Sequence, residues 1–92
     1  MKITYDPAKR AVTMKNRGLD FVEALEVFGG PTIDGADERF DYGETRVVTV
    51  GYLRGRMVII VWTGRGEARH IISMSKANGR EQTRFGKRLG EG

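Results

Sequence analysis

Residues 45–74 read TRVVTVGYLRGRMVIIVWTGRGEARHIISM. Three runs rich in β-branched and apolar residues, "TRVVTVGYL", "MVIIVWT" and "EARHIISM", are separated by "RGR" and "GRG". Runs of this kind, bounded by glycine turns, predict three strands. Connections so short leave no room for a crossover, so these strands must pair as antiparallel hairpins. "MVIIVW" is apolar at successive positions, as in a central strand covered on both faces, whereas its neighbours alternate like half-exposed strands. The centre of the fold is therefore expected to be a compact antiparallel sheet.

Helix signals lie on both sides of that block. "KITY" at 2–5 reads as an opening strand. Asp6 and Pro7 then suit the cap and first position of a helix running to about Asn16, which Gly18 stops. A second helix begins at once in "LDFVEALEVFGG", with Asp20 and Glu23 as a capping box and Leu19 against Ala24 as a staple. Its apolar positions Phe21, Ala24, Leu25 and Phe28 follow helical spacing, so one face belongs to the core. The acidic stretch "TIDGADERFDYGE" has room for one short edge strand. After the sheet, "NGRE" at 78–81 resembles another capping box, and Phe85 and Leu89 can dock the helix it starts. Gly86 weakens that helix by ~1 kcal/mol relative to Ala, and the tail at 90–92 is expected to fray. The expected class is α+β: one domain over 1–92, a compact antiparallel sheet, two N-terminal helices packed on one face, and a C-terminal helix.

Ninety-two residues can bury only ~60–65% of their unfolded surface, so the core must be thin. Cysteine is absent, which removes disulfides and thiolate metal sites and suits a reducing cytoplasm. No apolar run reaches the ~20 residues of a membrane span, and the start lacks a signal-peptide pattern. A soluble cytoplasmic protein is expected, with no membrane partner.

The net charge of +4 is unevenly spread. Residues 1–53 carry seven Lys and Arg against nine Asp and Glu, and residues 54–92 carry nine against three. A chain so divided presents a positive lobe that attracts polyanions. Arg80, Arg84 and Arg88 recur every fourth residue, with Lys87 beside them. One histidine, no cysteine and carboxylates clustered in the acidic half give no metal-ligand spacing, and no metal or cofactor is expected. "GYLRGR" and "GRGEAR" lack the spacing of a phosphate loop and are better explained as hairpin turns.

RNA cleavage without a metal has demands that these residues can meet. A group must take the 2′-hydroxyl proton, another must neutralise charge on the phosphorane, and another must protonate the leaving oxygen. Guanidinium groups match phosphate oxygens, and histidine moves protons near neutral pH. A plainer account stands beside this one. His70 could simply satisfy a structural hydrogen bond, the arginine row could be a solvated helix face, and Glu81 reads better as a cap than as a base.

The segments "YDPAK…KNRGLDFVEALEVFGGP", "DYGETR" and "RHIISMSKANGRE", in that order, resemble the BrnT-type toxins of bacterial type II toxin–antitoxin operons, from Tyr5 to about Phe85. The resemblance implies a RelE-like fold and an RNA endonuclease that arrests growth until an antitoxin binds it. Asp6, Pro7 and Lys9 match the opening motif, and Gly18, Phe21, Ala24, Val27 and Phe28 match the second helix. Glu44 and Arg46 match a "GE-x-R" element; Ile71, Ile72, Ser73, Lys76, Ala77 and Glu81 match an "IIS…KA…E" signature. Combined with the charge pattern, this implies a catalytic set of His70, Arg46, Lys76 and Arg69. Ser75, Arg65, Arg80 and Arg84 are the expected substrate contacts. The implied partner is a BrnA-like antitoxin with a ribbon-helix-helix DNA-binding portion, and the implied substrate is RNA.

This chain departs from the family pattern twice. Arg17 stands where histidine is common, and Ser75 stands where arginine is usual. Losing a phosphate-gripping arginine can cost ~10²–10³ in rate, so Ser75 implies an attenuated copy. Alternatively Ser75 caps a turn, and Arg46, Arg69 or Lys76 fills the gap. A noncatalytic module that holds nucleic acid or antitoxin needs only the positive lobe and stands as the second reading.

Overall fold

A computed structural model describes residues 1–90 of the chain; of the expected fraying at 90–92, positions 91 and 92 lie outside the described residues. The elements are β1 (Lys2–Tyr5), α1 (Pro7–Arg17), a 3-10 turn (Phe21–Glu23) leading into α2 (Ala24–Phe28), β2 (Ile33–Ala36), β3 (Arg46–Leu53), β4 (Arg56–Arg65), β5 (Ala68–Lys76) and α3 (Gly79–Gly86). Among the described residues this is an α+β fold with a five-stranded sheet and three α-helices, the strands ordered β1-β5-β4-β3-β2.

The sheet is mixed, which corrects the expectation of an antiparallel one. The pairs β2–β3, β3–β4 and β4–β5 are antiparallel, but β1 runs parallel to β5, from Lys2 opposite Ala68 to Tyr5 opposite Ile71. Short turns dictate direction only between consecutive strands. β1 and β5 lie at opposite ends of the chain, and no turn geometry constrains how they meet. β4 is the central strand, as its unbroken apolar run requires.

Local capping chemistry sets the helix ends. The Asp6 carboxylate accepts from the Ala8 amide, and Gly18 ends α1 in the left-handed region at φ 66°. Asp20 with Glu23, and Asn78 with Glu81, complete reciprocal capping boxes.

Two helices cover opposite faces of the sheet. On one face Phe21, Ala24 and Val27 pack on Val58, Ile60, Ile71 and Met74, all fully buried. Edge-to-face aromatic pairs join Tyr5 to Phe21 and Phe28 to Trp62. α2 comes so close that a Cβ on Gly51 of β3 would lie 2.7 Å from Val27 Cγ1. On the other face a smaller cluster forms around Val50, Met57 and Ala77, with Phe85 and Leu89 of the α3 segment packed against it. α1 lies against β5 and buries no residue fully.

One irregularity decides what the second face displays. Val61 pairs with Ser73, but Trp62 pairs with Ile71, so Ile72 is an extra residue in β5. Such a bulge reverses the in–out alternation of the strand before it. Ser75 opposite Ile59, Ser73 opposite Val61 and His70 opposite Thr63 consequently share one face, although plain alternation would put His70 behind the serines.

Candidate functional site

Face alternation along the three central strands builds an open groove on the side where α3 docks. Val48, Ile59, Val61, Ser73 and Ser75 line it. Serine is too short to fill the space above a strand, so the sheet stays accessible between α1 and α3. The groove encloses about 380 Å³, and Arg17, Arg39, Glu81, Arg84 and Phe85 complete its lining. Two further troughs adjoin it. One, of about 330 Å³, lies between α1 and β5 and shares Arg17 and Ser73; the other, of about 280 Å³, lies between α3 and β2 and includes Arg88.

The groove arginines are held in different ways. Arg17 ends α1 and donates through Nη1 to the Met74 carbonyl at 2.7 Å. β1 accompanies β5 only as far as Ile71, so a side chain can reach the strand edge beyond it. Arg39 donates to Asp37 from Nε at 2.9 Å and from Nη2 at 3.0 Å. The Asp37 carboxylate, whose side chain is 1% exposed, also accepts from the Tyr42 hydroxyl. Bonds from Arg39 hold its pKa down at about 2, while the Arg39 side chain remains 70% exposed. The pair thus presents an anchored guanidinium. Arg84 projects from α3, beside the Phe85 ring.

Above the groove runs a cross-strand row of Thr4, His70, Thr63 and Arg46. Thr4 Oγ1 lies 2.8 Å from His70 Nδ1. Burial pushes the His70 pKa below its ordinary value, the charges of Arg65 and Lys9 add to this, and Glu44 and Asp6 oppose it. The balance of these causes favours the uncharged imidazole. Arg46 is held by Glu44 at 3.2 Å and lies over the Tyr42 ring, 3.7 Å from its centroid.

Of the residues expected from the sequence, His70 and Arg46 share this row, and Arg65 ends β4 close enough for its charge to act on His70. Ser75 and Arg84 line the groove below. Arg80 is exposed in the first turn of α3, outside the groove lining. Arg69 and Lys76 are carried elsewhere. The bulge turns Arg69 to the α2 face, where its guanidinium lies 4.6 Å from the Phe28 centroid and 4.3 Å from that of Trp62. Lys76 pairs with Val58, a residue of that same face, and its Nζ lies near Gly18. Arg39 was not expected in the groove, and nothing in an acidic loop marks it. Arg17 was noted only as a departure from the family pattern, yet its place just before a helix-stopping glycine fixes it at the end of α1. Among the described residues no group of three His, Cys, Asp or Glu comes together as a metal site would require.

The groove thus gathers Arg17, Arg39 and Arg84 on the α3 side of a small α+β domain, with His70 in the row above them. Residues 5–81 match the family model described as ribonuclease toxin, BrnT, of type II toxin–antitoxin system, so the chain belongs to the BrnT family. That family comprises ribonuclease toxins, and membership in a toxin–antitoxin system implies an antitoxin partner. No curated protein matches the chain at a significant level. Among the described residues no helix is long and apolar enough to cross a membrane.

Proposed function

We propose that this protein is an RNA endonuclease of RelE-like architecture that cleaves without a metal ion, with its reaction centred on the α3 side of the sheet. The observation that carries this reading is the gathering of His70, Ser73 and Ser75 on one face, with Arg17, Arg39 and Arg84 around the groove below. Guanidinium groups from three separate elements can grip one strand's phosphates at several points. His70 is the proton-transfer group. Donation from Nδ1–H to Thr4 Oγ1 would leave Nε2 as an acceptor for the 2′-hydroxyl proton. Attack of that oxygen on phosphorus breaks the bond to the 5′ oxygen, which takes up a proton, from the His70 imidazolium or through water, and leaves as a 5′-hydroxyl beside a 2′,3′-cyclic phosphate.

Arg46, tied to Glu44 and Tyr42, orients the upper end of the site, and Arg65 and Arg80 extend the positive surface. Arg69 and Lys76 are given structural roles. Arg17 supplies, from α1, positive charge near Ser75, where the family pattern has an arginine. The partner is a BrnA-like antitoxin with a ribbon-helix-helix DNA-binding portion, which inhibits most simply by covering this groove.

The test is incubation of the purified protein, and of a Ser75→Arg version, with RNA in the presence of chelator. Cyclic-phosphate products from either protein are expected. Intact RNA with both would reject metal-free cleavage. Salt-sensitive RNA binding by a Ser75→Arg protein that cuts nothing would favour a noncatalytic binding module instead.

A further inference from the structure

We propose that the trough between α1 and β5 receives one unstacked nucleobase of the RNA strand whose phosphates lie in the adjoining groove; this rests on the RNA-cleavage reading above. The trough measures about 330 Å³ and shares Arg17 and Ser73 with the groove, so a base and its neighbouring phosphate can occupy the two together. Its apolar surface comes from Val12, which is 56% exposed on α1, and from Ile72, the extra residue of the bulge. A flat ring entering between them would remove apolar surface from water on both sides. Single-stranded RNA is read by splaying bases into such sites.

Charge selects the occupant. Lys9 and Arg17 belong to the trough, and no carboxylate lines it. The pocket at residues 36–46 instead contains Asp37, Glu38, Asp41 and Glu44, which would repel the phosphates on either side of a bound base. Asn16 supplies an amide with both donor and acceptor atoms, suited to a base edge. The bulge therefore has two consequences: it brings His70 to the serine face, and it provides Ile72 for the trough beside it.

Binding of fluorescein-labelled 2′-deoxy-substituted oligonucleotides, which cannot be cut, tests this by anisotropy. Octamers of each base are compared with an abasic octamer, using the wild type, Ala8→Phe, which plugs the trough, and Asn16→Leu. For the wild type, at least one base should bind roughly tenfold tighter than the abasic strand. Ala8→Phe should abolish that preference while leaving the salt dependence of binding intact, and Asn16→Leu should narrow the differences among bases. Thermal melting of both variants confirms that they fold. Equal wild-type affinity for abasic and base-bearing strands, with salt-sensitive binding retained, would overturn the inference alone and leave the trough to a peptide. Absence of salt-sensitive binding would overturn the RNA reading and this inference together.

Discussion

The two faces of the sheet are made from the same strands and are covered in opposite ways. On the α2 face, Ile60, Ile71 and Met74 meet Phe21 and Val27 with no solvent access, and one cation there, Arg69, lies over the rings of Phe28 and Trp62. On the α3 face, Ser73 and Ser75 stand where large residues would close the surface, and Arg17, Arg39 and Arg84 line the opening. One face buries apolar area, the dominant favourable contribution in a thin core. The other leaves sheet uncovered and surrounds it with charge. Stability and chemistry should therefore respond to different substitutions, and the comparison can be broken at single residues.

The largest expected effect is on the closed face. Phe21→Ala removes a fully buried ring that touches Tyr5, and should cost ~3–5 kcal/mol. Domains this small have little stability in reserve, so calorimetry should find the variant largely unfolded at room temperature or melting far below the wild type. A shift of only a few degrees would mean that α2 contributes much less than its packing indicates.

The counterpart on the open face is His70→Ala. RNA cleavage should fall by ~10²–10⁴ if His70 transfers the proton, with a much smaller loss of melting temperature than Phe21→Ala, because the ring is only half-buried and gives up its hydrogen bond to Thr4. Cleavage within a factor of three of wild type would remove His70 from the mechanism.

A matched pair of arginines sharpens the contrast with smaller changes. Arg69→Ala gives up two ring contacts and should cost ~0.5–2 kcal/mol in stability, leaving cleavage unaltered. Arg84→Ala should do the reverse: a smaller change in melting from its single, longer contact with the Phe85 ring, weaker RNA binding, and a salt dependence reduced by ~0.7 for the one lost phosphate contact. If Arg69→Ala impaired cleavage without altering stability, the division between the faces would fail.

Much of this was legible in the sequence because it follows from local rules. The two capping boxes, the stop at Gly18, the three hairpin strands and the doubly covered β4 all depend on residues adjacent along the chain. The docking of Phe85 and Leu89 was legible too, from their four-residue spacing. What escaped depends on contacts between distant segments. The direction of β1 is set by pairing with a strand more than sixty residues away. The bulge at Ile72 lies inside an ordinary-looking apolar run, yet it reverses which of Arg69 and His70 shares a face with Ser73 and Ser75. Sequence neighbours in the same basic stretch therefore end on opposite sides of the sheet. Arg39 was hidden for a related reason. Its partner Asp37 is two residues away, but the groove it reaches is assembled from β3, β4, β5 and α3.

The smallest predicted effect concerns charge around His70. Its folded pKa lies below the ordinary imidazole value of ~6.5, first because the ring is partly removed from water and second because Arg65 is near. With a depressed folded pKa, the unfolded state binds more protons between the two values, so stability rises with pH there and is lost as pH falls from ~6.5 through the folded pKa. Cleavage by a neutral His70 should accordingly persist further into acid than an unperturbed imidazole would allow. Arg65→Gln removes the second cause and keeps the first. The imidazole titration, followed by proton NMR, should move part of the way back toward ~6.5, and the acid limb of the cleavage profile should rise with it. An unchanged titration would mean that the Arg65 charge does not act on His70, and that the β4–β5 turn has no part in setting its titration.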